Sequence, residues 1–316
     1  MKPPRLYCAV IALGLPLAWD ACRAAPDPPA ADGPFLIEQV APGVFVHEGS
    51  PLPLDAPGHD DIANIGFIVG ARCAAVIDTG GSISTGRALR AALARVTNRP
   101  ICYVINTHAH VDHVLGNAAF RDTHARFVGH ERLPAEMMRN RSFFLSQYAG
   151  DLDAPATPQQ IVAPDLTVAD TLRIDLGRRT LQLRAWPTAH SACDLTILDE
   201  ASHTLWTGDL LFRGRLPAMD GDVMGWLEVI DTLAQLEVSH AIPGHGPPTT
   251  DLRGALRAES GYLQALLTDV RSAGNAGESL QQAIDGAAQD ERSHWLLWDS
   301  THPRNVTRVY EQLEWQ

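Results

Sequence analysis

The residues best suited to chemistry are three histidines and one aspartate within a six-residue stretch. His108, His110, Asp112 and His113 directly follow a buried-strand pattern at residues 101–105. A tight turn after such a strand aims alternate side chains the same way, so these four can converge on a small volume. Neutral imidazoles suit a borderline metal such as zinc, and carboxylates add the negative charge that favours a second divalent ion. The spacing therefore predicts a metal site at the end of this strand.

Three further short signals follow strand patterns in the same way. They are Thr188-Ala189-His190, Thr207-Gly208-Asp209 and Pro243-Gly244-His245-Gly246. Each supplies one residue that can bind a metal, namely His190, Asp209 and His245. Together with the first cluster, these three residues form an ordered set of histidines and aspartates. The first cluster supplies four members of the set, and three later turns supply one each.

The scaffold that must position these turns is indicated by apolar patterns. Short β-branched and aromatic runs interrupted by Gly and Pro predict strands. The first group of such runs lies at residues 44–47, 65–69, 73–78 and 101–105. A helix-rich stretch at about 131–149 follows, and a second group of strands lies at residues 172–176, 180–186, 195–198 and 204–207. Ser82 or Ser84 is suited to capping a helix that runs to about Val96. Two strand-rich halves, each closing with helices, favour sheet packed on sheet with helices outside.

The ordered ligand set resembles that of the metallo-β-lactamase superfamily over roughly residues 36–250. The resemblance implies an α/β fold, an αββα sandwich in which two mixed β-sheets are flanked by helices and hold a mono- or dinuclear zinc site. It implies that a first metal binds His108, His110 and His190, and that a second binds Asp112, His113 and His245. Asp209 would bridge the two.

Two zinc ions are the cofactors expected from this set, with iron or manganese less favoured. Two close divalent ions lower the pKa of a water between them, so that it can attack at neutral pH. Asp112 would orient that water and receive its proton, which makes it the candidate catalytic residue. Ligating histidines need acceptors for their other ring nitrogen. Asp78 is placed either to be one or to cap the following turn.

Departures from two well-known branches narrow the function. The β-lactamase branch with a cysteine-containing site has Cys where this chain has Asp209, and a substrate-binding Lys where it has Phe212. Arg213 follows Phe212 directly and is a candidate to bind an anionic substrate, although a guanidinium group is not a simple substitute for an ammonium group. The glyoxalase II type shares the bridging aspartate, but the C-terminal part contains no lysine. A β-lactamase and a glutathione thioesterase therefore stay as alternatives to hydrolysis of another ester, lactone, thioester or amide.

A closer resemblance lies upstream of the first histidine. Residues 60–69, 76–82 and 105–108 resemble the exported zinc metallohydrolases that accompany pyrroloquinoline quinone-dependent dehydrogenases, the quinoprotein relay system group. This resemblance suggests a functional link to a periplasmic quinoprotein dehydrogenase. A non-hydrolytic accessory protein that binds the quinone cofactor is the rival hypothesis. His59, in the loop where superfamily members often place a substrate flap, is either a substrate contact or a solvated loop residue.

Composition excludes several other classes. The chain carries 25 Lys+Arg against 37 Asp+Glu, a formal net charge of −12, and Lys2 is its only lysine. A lysine Schiff base, a lysine nucleophile and a P-loop are thereby excluded once a leader is removed. The acidic balance also argues against nucleic acid as a partner and favours a small-molecule substrate.

The N-terminal region has the pattern of an export signal. Residues 1–24 combine a basic start, a short apolar run and a small-residue cleavage site, which predicts a signal peptide and a periplasmic protein with no stable membrane span after its removal. A proline-rich linker at 25–34, a metallo-β-lactamase-like domain at 35–250 and a C-terminal helical extension at 251–316 follow. Cys73, Cys102 and Cys193 would remain, and buried thiols are favoured over one disulfide plus a free thiol.

Overall fold

The computed structural model describes residues 35–314, and its larger sheet has seven strands. In spatial order, which is also chain order, they are β1 (Glu38–Ala41), β2 (Val44–His47), β3 (Ile65–Val69), β4 (Ala74–Ile77), β5 (Ile101–Ile105), β6 (Arg126–His130) and β7 (Leu166–Val168). The first four strands pair antiparallel, whereas β4 through β7 pair parallel. This mixed sheet brings the carboxyl ends of β4 and β5 to the same edge, where the first histidine cluster begins.

The smaller sheet has five strands. In chain order they are β8 (Thr171–Asp175), β9 (Thr180–Ala185), β10 (Leu195–Asp199), β11 (Thr204–Phe212) and β12 (His240–His245), and the spatial order is the reverse. All its neighbours are antiparallel except β11 and β12, which run parallel. The carboxyl ends of β11 and β12 therefore lie side by side, which brings Asp209 of β11 close to His245 of β12.

Helices cover both sheets. They are α1 (Ile83–Val96), α2 (Val111–Val114), α3 (Leu133–Gln147), α4 (Val223–Leu233), α5 (Leu252–Ala276), α6 (Leu280–Gly286) and α7 (Trp298–Glu314). The Ser82 hydroxyl accepts a hydrogen bond from Thr85 N at the start of α1, which confirms the predicted cap. In the part of the chain that the structure describes, no helix combines the length and the apolar character needed to cross a membrane.

The hydrophobic core has three layers: one between the two sheets and one on the outer face of each sheet. Ile77 and Ile105 of the larger sheet pack with Leu183 and Trp206 of the smaller one, which forms the interior between the sheets. Apolar residues of α1 cover the outer face of the larger sheet, and those of α4, α5 and α7 cover the smaller one. The predicted α/β sandwich of two mixed sheets flanked by helices is therefore confirmed. The described residues 35–314 belong to one compact unit, because the helices after residue 250 share a core with β11 and α4.

The favoured interpretation of Cys73 and Cys102 as buried thiols is wrong, because the two residues form a disulfide. They lie at the starts of β4 and β5, which are parallel neighbours, and their Cα atoms are 5.8 Å apart. That separation lies within the range that a disulfide can span. Cys193 is a free, buried thiol.

Several elements differ from the sequence prediction. The strands β1, β6 and β7 were not expected, nor was α4, and β11 extends to Phe212 instead of ending near residue 207. The predicted signal peptide and linker at residues 1–34 lie outside the described residues.

Candidate metal centre

The predicted ligands come together at the edge where the carboxyl ends of both sheets meet. His108 and His110 lie in the turn after β5, and Asp112 and His113 lie on the single turn of α2. His190 follows β9, whereas Asp209 and His245 belong to β11 and β12. The elements thus bring all seven predicted ligands to one place, although they are spread over 138 positions of the chain.

Gly208 is the local reason that β11 can approach the first cluster. Its φ is +52°, a left-handed conformation that favours glycine, and the register with β12 is irregular on both sides of it. A Cβ at this position would lie 2.6 Å from the Thr107 Cβ. Only glycine therefore lets the backbone before Asp209 pack against the turn that carries His108.

The first group of candidate ligands consists of His108, His110, His190 and Asp209, whose ligand atoms all lie within 4.8 Å of one another. The His110 Nδ1 atom lies 3.0 Å from His108 Nε2 and 3.1 Å from His190 Nε2. The Asp209 Oδ2 atom lies 3.6 Å from His108 Nε2 and 3.4 Å from His190 Nε2. Three imidazole nitrogens and one carboxylate oxygen thus face a common point, the donor set that zinc prefers.

The second group consists of Asp112, His113 and His245. The Asp112 Oδ2 atom lies 3.3 Å from His245 Nε2 and 3.6 Å from His113 Nε2. Asp209 contacts this group as well, with Oδ1 3.1 Å from His113 Nε2 and Oδ2 3.4 Å from His245 Nε2. Asp209 therefore lies between the groups, where a bridging ligand would lie.

Two buried polar atoms at the junction have no hydrogen-bond partner among the described residues. They are His113 Nε2 and Asp209 Oδ1, which lie 3.1 Å apart but without the geometry of a hydrogen bond. A buried polar atom left unpaired is costly. A divalent cation between the groups would satisfy both atoms, so the residues present fit the metal that the ligand set implies.

The opposite ring nitrogens of His113 and His108 are held by Asp78. The His113 Nδ1 atom donates to Asp78 Oδ2 at 2.8 Å, and the Thr107 hydroxyl donates to the same oxygen at 2.7 Å. Thr107 Oγ1 in turn lies 2.9 Å from His108 Nδ1. Asp78 therefore orients one ligand directly and a second through Thr107, which leaves both Nε2 atoms facing the centre. Of the two roles predicted for Asp78, the structure shows the acceptor.

The remaining histidines are fixed by acceptors on neighbouring loops. His190 Nδ1 donates to the Ala218 carbonyl at 2.7 Å, and His245 Nδ1 donates to the Ile62 carbonyl at 2.7 Å. His110 is reversed, because its Nε2 contacts Asp220 Oδ2 at 2.7 Å and its Nδ1 faces the centre. Each imidazole therefore has one ring nitrogen facing the centre, while the other contacts an oxygen atom of a neighbouring loop.

Burial and charge set the protonation of these groups in opposite ways. Burial lowers the pKa of His190 to about 4, so its imidazole is neutral at pH 7. Burial would raise the pKa of Asp209, but the charges of His245, His113 and His108 outweigh it and hold this pKa well below the usual range. Burial would lower the pKa of His113, but the charges of Asp209, Asp112 and Asp78 outweigh it and hold this pKa well above its usual range, so a metal that binds there would displace a proton from the imidazole.

A pocket of about 610 Å³ opens onto the centre and is lined by both apolar and charged side chains. Leu54, Phe143, Phe144 and Tyr148 supply apolar and aromatic surface on one side. Arginines from three parts of the chain also line it: Arg139, Arg215, Arg304 and Arg308. Glu136 and Asp220 line the pocket as well and pair with Arg139 and Arg304. The apolar wall and Arg215 are therefore the features suited to a small molecule that has an apolar body and an anionic group.

Neither of the two residues predicted to bind substrate lines this pocket. Arg213 donates from Nη1 to the carbonyl oxygens of Pro247 and Pro248 and lines a separate surface depression. His59 contacts Asp151 Oδ2 at 3.0 Å through Nε2 and the Ala56 carbonyl at 3.0 Å through Nδ1. His59 thus connects its loop to Asp151 and does not line the pocket.

Arg215 takes the position that the sequence suggested for Arg213. It is 8% exposed, lines the pocket and has its Nη1 atom 3.1 Å from His245 Nδ1. Its Nε atom has no hydrogen-bond partner, and within residues 35–314 it forms no ion pair with a carboxylate. Arg213 directly follows the last residue of β11, Phe212, and its side chain lines a different depression.

The fold and the two groups of candidate metal ligands are those of a metallo-β-lactamase-type protein. The family model for the metallo-beta-lactamase superfamily matches residues 24–245, and the chain belongs to this superfamily. A search of curated proteins gives no significant match.

Solved structures share the fold at low sequence identity. The sec-alkylsulfatase Pisa1 from Pseudomonas sp. superposes with a TM-score of 0.65 at 17% identity, over 87% of this chain and 50% of the sulfatase. A metallo-beta-lactamase family protein from Thermus thermophilus gives 0.62 at 22% identity, over 87% and 94% of the two chains. A metallo-beta-lactamase from Pontibacter korlensis gives 0.55 at 20% identity, over 72% and 98%. This chain therefore spans about half the length of the sulfatase.

Proposed function

We propose that this protein is an exported hydrolase that binds two zinc ions and cleaves an ester, lactone, thioester or amide. The single observation that carries the proposal is the position of Asp209, whose two oxygens contact histidines of both ligand groups. One carboxylate shared by two groups of donors is the arrangement of a two-metal site, because it lowers the repulsion between two cations held close together.

When bound, the two ions would supply a Lewis acid and make water acidic enough to attack near neutral pH. The chain supplies the rest. Burial would raise the pKa of Asp112, but the charges of His113 and His245 lower it, so the carboxylate is ionised and can accept the proton of the attacking water at Oδ2. Asp78, Asp220 and the carbonyl of Ala218 hold the imidazoles in position before substrate arrives.

The pocket supports a substrate that carries a negative charge and an apolar portion. Among the described residues Arg215 has no carboxylate partner although it is buried, so the anionic group of a substrate would satisfy it. Phe143 and Phe144 supply the apolar wall on another side. Since the sulfatase named above shares the fold, a secondary alkyl sulfate belongs among the candidate substrates.

Export and a link to quinoprotein oxidation are supported by two observations. The Cys73–Cys102 disulfide is typical of an oxidising compartment such as the periplasm. The sequence of residues 60–69 and 76–82 resembles the quinoprotein relay system group. Mass spectrometry of the protein from a periplasmic fraction should find an N-terminus near Ala25; an intact N-terminus in the cytoplasmic fraction alone would contradict export. The absence of a quinoprotein dehydrogenase or c-type cytochrome gene nearby would count against the link.

The decisive experiment combines metal analysis with a substrate panel. The purified protein should contain about two equivalents of zinc and hydrolyse at least one anionic lactone, ester, thioester, alkyl sulfate or β-lactam, and lose that activity on chelation. Fewer than about 0.5 equivalents of any transition metal, with none regained on adding zinc, would refute the metal site. Binding of pyrroloquinoline quinone without turnover of any substrate would favour the accessory-protein alternative.

A further inference from the structure

Two histidines of the first ligand group depend on a single loop, residues 217–221. Ala218 O accepts the hydrogen bond from His190 Nδ1 at 2.7 Å, and Asp220 Oδ2 contacts His110 Nε2 at 2.7 Å. The backbone of the same loop is tied to His190, because Asp220 N and Gly221 N both donate to the His190 carbonyl. The position of this loop therefore sets the orientation of both imidazoles.

The opposite side of the 217–221 loop is held by α7. Asn305, which is fully buried, donates from Nδ2 to Pro217 O at 2.7 Å and accepts from Met219 N at 3.1 Å. The Asn305 side chain is itself held by the Tyr262 hydroxyl at 3.0 Å. One side chain of α7 thus fixes the backbone on both sides of Ala218.

Three exposed or half-buried side chains of α7 continue this contact along the loop. Arg304 forms an ion pair with the Asp220 carboxylate, and Arg308 donates to the Asp220 carbonyl at 2.6 Å. Gln312 donates to the Gly221 carbonyl. Asn305, Arg308 and Gln312 are spaced by three or four residues and so lie on one face of the helix.

We propose that α7 positions the metal centre: through Asn305, Arg304 and Arg308 it fixes the 217–221 loop, and the loop aims His110 and His190 at the first metal. The inference rests on the proposed metal site. It makes α7, which begins 108 residues after His190 and 188 residues after His110, a functional part of the centre, and it confines the effect to one of the two ions. The second group, Asp112, His113 and His245, takes its contacts from Asp78 and Ile62 instead.

Two variants and a matched control test this positioning role. Asn305→Ala removes the buried contact, and the double variant Arg304→Gln/Arg308→Gln removes the surface contacts without opening the core. Arg292→Gln is the control, because Arg292 also forms an ion pair with an aspartate and is 57% exposed, against 58% for Arg304, but it contacts no residue of the loop. Asp220→Asn gives the reference for replacing the charged acceptor of His110 with a neutral one.

The first measurement is hydrogen–deuterium exchange of the metal-free full-length protein. Peptides that cover residues 217–222 should exchange faster in Asn305→Ala and in the double variant, and at the wild-type rate in Arg292→Gln. The second is zinc affinity by competition with a chromophoric chelator. One ion should bind about 10-fold more weakly, as in Asp220→Asn, and the other should stay within about twofold, because loss of a group that orients a ligand costs 10–100-fold in affinity.

The inference is overturned if the loop exchanges at the wild-type rate in the folded double variant, or if both ions weaken equally. Faster exchange with unchanged zinc affinity also overturns it. A wild-type protein that binds fewer than two ions would instead refute the proposed function, and the exchange measurement would still decide whether α7 holds the loop.

Discussion

Replacing Asp209 by Asn tests the two-metal centre most directly. The change keeps the shape of the side chain but removes the negative charge that lies within 3.6 Å of four imidazole Nε2 atoms. If Asp209 binds both ions, the variant should lose affinity for both of them, and not for one ion only.

The magnitude follows from the charge and the distances. Two unit charges about 4 Å apart interact by about 4 kcal/mol at an effective dielectric constant of about 20. A loss of that size corresponds to a roughly thousandfold weaker affinity for each ion. Zinc content after dialysis against a weak chelator should therefore fall from about two equivalents to nearly none.

Asp194→Asn is the matched control, because Asp194 is also a buried aspartate but belongs to neither ligand group. Its carboxylate accepts hydrogen bonds from Ser191 N at 2.8 Å and from the Ser191 hydroxyl at 2.6 Å. This control should retain two ions. An Asp209→Asn protein that is folded by circular dichroism and still binds one ion at wild-type affinity would refute the bridging role.

Three further predictions concern substrate binding, the disulfide and pH. Arg215→Gln should raise the KM for an anionic substrate about 10- to 100-fold with zinc content unchanged, because a charged hydrogen bond to the substrate is lost. Arg213→Gln should change this KM less than about twofold. Equal effects of the two variants would contradict the assignment of Arg215 to the pocket. Cys73→Ser/Cys102→Ser should lower the free energy of unfolding in urea by about 3 kcal/mol, and protein that begins at residue 35 should show one reactive thiol after denaturation without reductant; three would disprove the disulfide. Burial raises the pKa of Asp194 to about 7, so in the folded state this carboxyl favours the proton, and its contribution to stability is present at low pH and is lost as the pH rises through about 7. Asp194→Asn should therefore stabilise the metal-free protein more at pH 8 than at pH 5, by about 3 kcal/mol in urea unfolding, and an equal effect at both pH values would exclude a raised pKa.

The sequence determined the ligands because their chemistry and order are local properties. Each short signal follows a strand pattern, and a histidine or aspartate in a turn after a strand needs no knowledge of its partners to be recognised. Strand periodicity also indicated the two-sheet core, and the serine before Ile83 indicated the start of α1. These predictions depend on neighbours within a few residues, so a single sequence contains them.

The sequence also suggested a role for Asp78, but only the tertiary structure shows it. Asp78 ends one strand and His113 follows the next, and their contact depends on β4 and β5 being parallel neighbours. The same pairing brings Cys73 to Cys102, which the sequence favoured as thiols. Which strands are neighbours is set by the packing of the whole sheet, and no local pattern reports it.

The sequence by itself therefore determined the candidate metal ligands, their order and the sandwich that carries them. The tertiary structure decided which side chains surround that chemistry. It placed Arg215 in the pocket and Arg213 outside, and it brought α7 against the loop that contacts His110 and His190. The physical reason is that ligand chemistry is a property of single residues, whereas orientation and exclusion of water arise from contacts between segments far apart in the chain.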